Sequence, residues 1–132
     1  MSKMENRFDF KAWDSVNKKM LSSGEFTLKG IEELGWLPCD NEGQLLVTRK
    51  DPSTIVLLQY TGRTDRIGQK IFEGQLIKNN YGEIFEVLYE IETASFKLRS
   101  EDNPKVLLPW EAGNKMVIVG NIYEGEYFLE EN

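Results

Sequence analysis

The sequence predicts a mainly β fold: a small bent sheet or barrel of short antiparallel strands, made β-rich α+β by one short helix near residues 27–37. Three observations carry this expectation. Short runs alternate apolar with polar residues, aromatic and β-branched side chains fill those runs, and glycine, proline, asparagine or aspartate separates them. The 132 residues fit one domain, 1–132, and 40% are hydrophobic, including seven Phe, five Tyr and three Trp. That supply of large apolar side chains is enough to fill a core.

Taken in order, "NRFDFKAW" has strand period, with Phe8, Phe10 and Ala12 on one face, Arg7, Asp9 and Lys11 on the other, and Trp13 ending the run. "DSVNK" carries turn chemistry, because Asp14 and Asn17 can bond their own backbone, and "KKMLSS" reads as the return strand. In "TLKGIEELGWLPCD", Leu28, Ile31, Leu34 and Leu37 recur every third residue. This suggests the short helix, cut to a few turns by Gly30, Gly35 and Pro38. "GQLLVTRK" and "STIVLLQY" read as two strands separated by "DPS". "GEIFEVLYEIE" fits a helix through Ile84, Val87 and Ile91 and a strand through Phe85, Val87, Tyr89 and Ile91. Its aromatic and β-branched content favours the strand. "ASFKLRS", "KVLLPW" (ended by Pro109) and "NKMVIVGNIY" complete the set, with "EDNP" as a turn.

Composition removes whole classes of chemistry. The formal charge is −6 and the isoelectric point near 4.8, which works against broad attraction to nucleic-acid phosphates or anionic lipid. Histidine is absent, so Ser-His-Asp and Cys-His arrangements and most transition-metal sites are unavailable. Cys39 is the only cysteine; it is expected to be a small buried hydrophobe, and no intrachain disulfide can form. No pair of carboxylates sits in a diagnostic motif. We therefore expect no enzyme activity, no metal and no cofactor. Without a run of about 20 apolar residues or a signal-peptide core in "MSKMENRFDFKAWD", a cytoplasmic protein with no membrane association is expected.

The segment "GRTDRIGQK" superficially resembles a phosphate loop. That motif needs four residues between its glycines and then Lys-Ser/Thr; here Gly62 and Gly68 enclose five, and Lys70 precedes Ile71. Two readings stay open. Asp65 and Gly68 can shape a hairpin turn whose charges are solvated, which is the expected reading. Alternatively Tyr60, Arg63, Arg66 and Lys70 form a basic clamp for nucleic acid or a partner, with Tyr60 stacking a base. Trp13, Trp36 and Trp110 are expected in core or interface packing rather than as platforms. In "EGEYFLEEN", Tyr127, Phe128 and Leu129 lie between acidic residues and are candidates for folding back or for self-association.

Three blocks, "FDFKAWDSVNKKM", "LLQYTGRTDRIGQKIFEGQLIK" and "VIVGNIYEG", together resemble the YopX-like family of bacteriophage and prophage proteins. The pattern there is approximately Phe-Arg-Ala-Trp-Asp with Asn-Lys-Lys-Met, then Gln-Tyr-Thr-Gly-Leu-Lys-Asp with Gly-Lys-Glu-Ile-Tyr-Glu-Gly-Asp, then Ile-Gly-Asn-Ile-Tyr-Glu-Asn. The blocks cover about a third of the chain, in order across nearly all of it. Lys11, Arg63, Gln75, Val119 and Gly125 depart from it, and Gln75 weakens any role needing a carboxylate after Gly74. The resemblance implies a small β-rich, phage- or prophage-encoded protein of the bacterial cytoplasm, with no enzymatic activity to carry over. The expected function is that of a non-catalytic accessory protein, homo-oligomeric and contacting a phage or host protein; nucleic-acid binding is the alternative. The motif residues look structural: Gly62, Gly74 and Gly120 where the backbone turns or another segment crosses, Asn121 bonding nearby backbone. "IFEGQLIK" is similar to the turn and strand entry of small Src-homology-type barrels, a likeness of fold alone.

Overall fold

The computed structural model describes residues 9–110 and 116–124, and these hold eleven short strands and one 3-10 turn at Pro52–Thr54. The chain divides into two compact units, Met1–Gln59 and Tyr60–Asn132. Every strand pairing is antiparallel, so the mainly β expectation holds.

In the first unit, β1 (Phe10–Asp14) lies between β2 (Lys19–Leu21) and the first half of β5 (Ile55–Thr64). Trp13 faces Met20 on one side and Val56 on the other. Both faces of β1 are covered, which is why neighbours Ala12 and Trp13 are both buried despite their opposite directions. The β1–β2 turn follows from Asp14: its Oδ1 accepts the amides of Val16 (3.0 Å) and Asn17 (3.1 Å), and its Oδ2 accepts the Asn17 side-chain amide at 2.8 Å. These donors, the Asn17 backbone first, hold the Asp14 carboxyl below its ordinary range.

The helix expected near 27–37 is absent. Those residues form a hairpin of β3 (Thr27–Ile31) and β4 (Gly35–Cys39), with Gly30 opposite Trp36. The turn places Glu33 at φ 73° and Gly35 at φ 81°, a conformation no right-handed helix passes through. The threefold spacing of Leu28, Ile31, Leu34 and Leu37 therefore steps across two strands and a turn. Leu37 joins Ala12, Phe26, Val47 and Ile55 in the core of this unit.

"GQLLVTRK" also departs from expectation. Only a single bridge, Leu45 to Cys39, replaces the strand. Asp40 Oδ1 takes the amides of Glu42 and Gln44, both at 2.9 Å, and bends the chain at Gly43. Leu45 and Val47 still pack on the core, so their alternation reports burial rather than ladder pairing.

The second unit is built on a five-stranded sheet ordered β10-β9-β8-β7-β11: β7 (Gln75–Lys78), β8 (Ile84–Glu90), β9 (Ser95–Ser100), β10 (Leu107–Pro109) and β11 (Val117–Asn121). The second half of β5 pairs with β6 (Lys70–Phe72). Residues 84–90 are thus strand, as their composition favours. The β7–β8 turn is fixed by Asn79 Oδ1, which accepts the amides of Tyr81 (2.9 Å) and Glu83 (3.0 Å). The pairings slip between Tyr60 and Thr64 and between Ile118 and Gly120, bulges of the kind that bend a sheet.

Alternation selects the core. Phe85 and Val87 of β8, Leu98 of β9 and Ile77 of β7 point one way and meet Ile71 and Met116. Ile77 and Val87 are wholly buried; truncating such an isoleucine to alanine costs about 2–5 kcal/mol. On the other face, Arg99 spans to its cross-strand neighbour Glu86 with Nη2–Oε1 at 2.8 Å. Partly buried but still reached by solvent at Arg99, that pair adds little stability of its own. No helix among the described residues is long and apolar enough to cross a membrane.

Candidate functional site: the Asp65 loop and the cationic cavity at Trp110

The charged loop between β5 and β6 is first a structural device. Asp65 is only 6% exposed, and its carboxylate is fully used. Oδ1 accepts the amides of Ile67 (3.0 Å) and Gln69 (2.8 Å), while the Asp65 amide donates to the Gln69 carbonyl at 2.8 Å. Gly68 closes the turn at φ 90°, where a side chain would be strained. The shaped-turn expectation for Asp65 and Gly68 is met. A further contact lies beyond it: Asp65 Oδ2 accepts the Ile118 amide (3.3 Å), and the Arg66 amide donates to the Met116 carbonyl (2.8 Å). Residues 116 and 118 present these groups on the same side of the chain. The loop therefore satisfies backbone at the outer margin of β11, where an unpaired row invites other strands.

The four clamp candidates separate in space. Tyr60 is 1% exposed and packs on Phe72 at a ring separation of 5.6 Å, so it offers no surface to a base. Strand parity explains this: Leu58 and Tyr60 share the inward face of β5, a face hidden within the continuous apolar run of the sequence. Lys70 lies above that buried ring, Nζ 5.0 Å from its centre, and is exposed. Arg66 is also exposed, its Nη1 3.5 Å from Asn80 Oδ1. Arg63 turns elsewhere: its guanidinium carbon sits 4.7 Å from the centre of the Trp110 ring, and Nη2 donates to the Trp110 carbonyl at 2.9 Å. Tyr127, Phe128 and Leu129 lie outside the described residues.

Beside Arg63 opens a cavity of about 390 Å³ lined by Thr61, Arg63, Ser95, Phe96, Lys97, Pro109 and Trp110. Among the described residues two cations and two hydroxyls line it and no carboxylate does, in a chain whose net charge is −6. Sequence reading singled out Arg63 and weighed Trp110 but missed Ser95 and Lys97. Their only local signal is a cation and hydroxyls in "ASFKLRS"; the approach of β9 and β10 to the end of β5 is a long-range fact. Trp36, expected in packing, is 67% exposed, its indole lying across Gly30, where an added Cβ would be 3.4 Å from the ring.

The motif glycines and their neighbours converge at a second place. Gly74 has φ 82°, and a Cβ there would stand 2.8 Å from Tyr123 Cε2. The Gly74 carbonyl accepts the Ile122 amide and its own amide reaches the Val87 carbonyl, each at 2.8 Å. Gln75 Oε1 accepts the Phe72 amide at 2.7 Å, a role that needs an acceptor and no charge. Asn121 Oδ1 takes the amides of Tyr123 (2.9 Å) and Glu124 (2.8 Å). Burial, with the Glu73 and Glu86 carboxylates, raises the Tyr123 phenol above its ordinary value. These residues tie the β6–β7 turn to the end of β11 and the turn that follows it.

Strand pairings, buried turn carboxylate and cationic cavity together define a small antiparallel β protein with a local cationic surface. The model of the YopX family, described as YopX protein, matches residues 9–130, and the chain belongs to that family. Among solved structures, it is similar to protein EF1440 from Enterococcus faecalis, with a TM-score of 0.58 and 22% identity over 91% of this chain and 96% of that one. At that identity the likeness is one of fold. No curated protein matches the chain.

Proposed function

We infer that this chain is a non-catalytic accessory protein that acts through protein contacts, its own copies included, in the cytoplasm of a bacterium carrying a phage or prophage. The observation that carries the reading is Trp36. A large aromatic side chain, two-thirds exposed, stands on the β3–β4 hairpin, and β3 has no ladder partner on its outer side among the described residues. Tryptophan is a preferred anchor of protein interfaces, and an unpaired strand margin is a template for strand addition. The other side of the hairpin is rooted in the core through Leu37, which holds the arm in place. The phage setting is supported by the family. A phage or host protein is the second class of partner.

Light scattering after size exclusion tests self-association. The expected mass is a multiple of 15.3 kDa for the natural chain, falling to the monomer for Trp36→Ala. A strictly monomeric natural chain at high concentration removes self-association from the reading.

A further inference from the structure

We propose that the cavity at Trp110 is a nucleotide site, taking the base and phosphate of a single nucleotide unit, a ligand distinct from the protein contacts inferred above. The argument starts from Arg63. Its guanidinium lies over the Trp110 ring, the carbon 4.7 Å from the centre, and is pinned by the 2.9 Å bond to the Trp110 carbonyl. A guanidinium is a planar, permanently charged group, and arginine planes stack nucleobases as aromatic rings do. Because the ring and the carbonyl already fix it, little side-chain freedom is left to lose on binding.

The rest of the lining supplies what the phosphate needs. Lys97 brings an ammonium and Ser95 and Thr61 bring hydroxyls, and among the described lining residues there is no carboxylate to repel a phosphate. A volume of about 390 Å³ falls at the small end of ligand sites and is of the size of one nucleotide rather than a duplex. This site differs from the clamp drawn from sequence: Tyr60 is withdrawn from it, and Lys97 and Trp110 enter.

Anisotropy of fluorescein-labelled dT10 with the full chain, at about 20 mM and about 200 mM salt, tests the proposal. We expect saturable binding at low salt that weakens at high salt, and a loss of roughly tenfold for Trp110→Ala and for Lys97→Gln. Lys97→Arg should restore most of it. Trp110 also packs on the core, so Lys97→Gln, checked by circular dichroism, keeps the test decisive if Trp110→Ala unfolds. Competition by dTMP identifies a free nucleotide as a sufficient ligand; competition by unlabelled dT10 alone identifies a strand; either supports the site. Absent binding at low salt, binding untouched by Lys97→Gln, or equal displacement by a glutamate-rich peptide overturns it, the last marking an acidic-peptide site. The same titration on Trp36→Ala separates this outcome from self-association.

Discussion

The β5–β6 and β3–β4 hairpins both turn through positive-φ residues, yet they are held in opposite ways. At Gly68 the turn is tied by a buried carboxylate that accepts three amides, one of them from β11. At Glu33 and Gly35 the turn closes on its own backbone, Leu34 donating to Ile31, and the arm leaves Trp36 in solvent. A charged loop can thus be scaffold and an aromatic strand can be surface. Residue type assigns neither role; what the backbone groups of each turn bond to does.

That contrast can be broken experimentally, most severely at the tightest crossing. Gly74→Ala forces a Cβ against Tyr123 at φ 82° and should cost about 3 kcal/mol in urea unfolding. A loss under about 0.5 kcal/mol means the crossing has room. Next, Asp65→Ala strips the acceptor from the amides of Ile67, Gln69 and Ile118 and should cost about 2 kcal/mol, with faster hydrogen exchange at Ile118. Asp65→Asn, which keeps an acceptor, should lose less. Unchanged exchange at Ile118 would show that β11 does not depend on the loop.

Smaller is the alkaline effect at Tyr123. Its phenol is raised above 10.0, so the folded state holds its proton longer than the unfolded chain. Stability from this group is complete below pH 10.0 and declines as pH rises beyond it. Tyr123→Phe should flatten that decline in melts taken from pH 9 to 11; an identical slope in both proteins rules the group out. Least of all, Trp36→Ala should change stability by under about 1 kcal/mol, because its ring is two-thirds exposed. A larger loss would turn the exposed arm into core after all.

Local turn chemistry was the most legible layer. Asp14 with Asn17, and Asp65 with Gly68, close their turns within a few residues, so composition suffices. Strand type for 84–90 was legible from aromatic and β-branched content. The segment 27–37 misled because a period of three is shared by a helix and by two short strands around a turn, and positive φ at Glu33 and Gly35 separates them. Leu45 and Val47 alternate to reach the core without a ladder. At the candidate site, Arg63 was visible as a basic residue beside a turn. Its partner Trp110 lies 47 residues further along the chain, and no local pattern signals that approach.

The bond from Asp65 to Ile118 closes 53 residues of chain. Bringing such distant residues together carries an entropic cost that only contacts formed at closure return, so this union belongs late in assembly. The β7–β8–β9 meander, built from near neighbours, can form before it. Without the loop, the β11 groups that it bonds would be left unsatisfied, an open margin on which another strand could pair. Asp65 thus anchors the closure that joins the loop to β11.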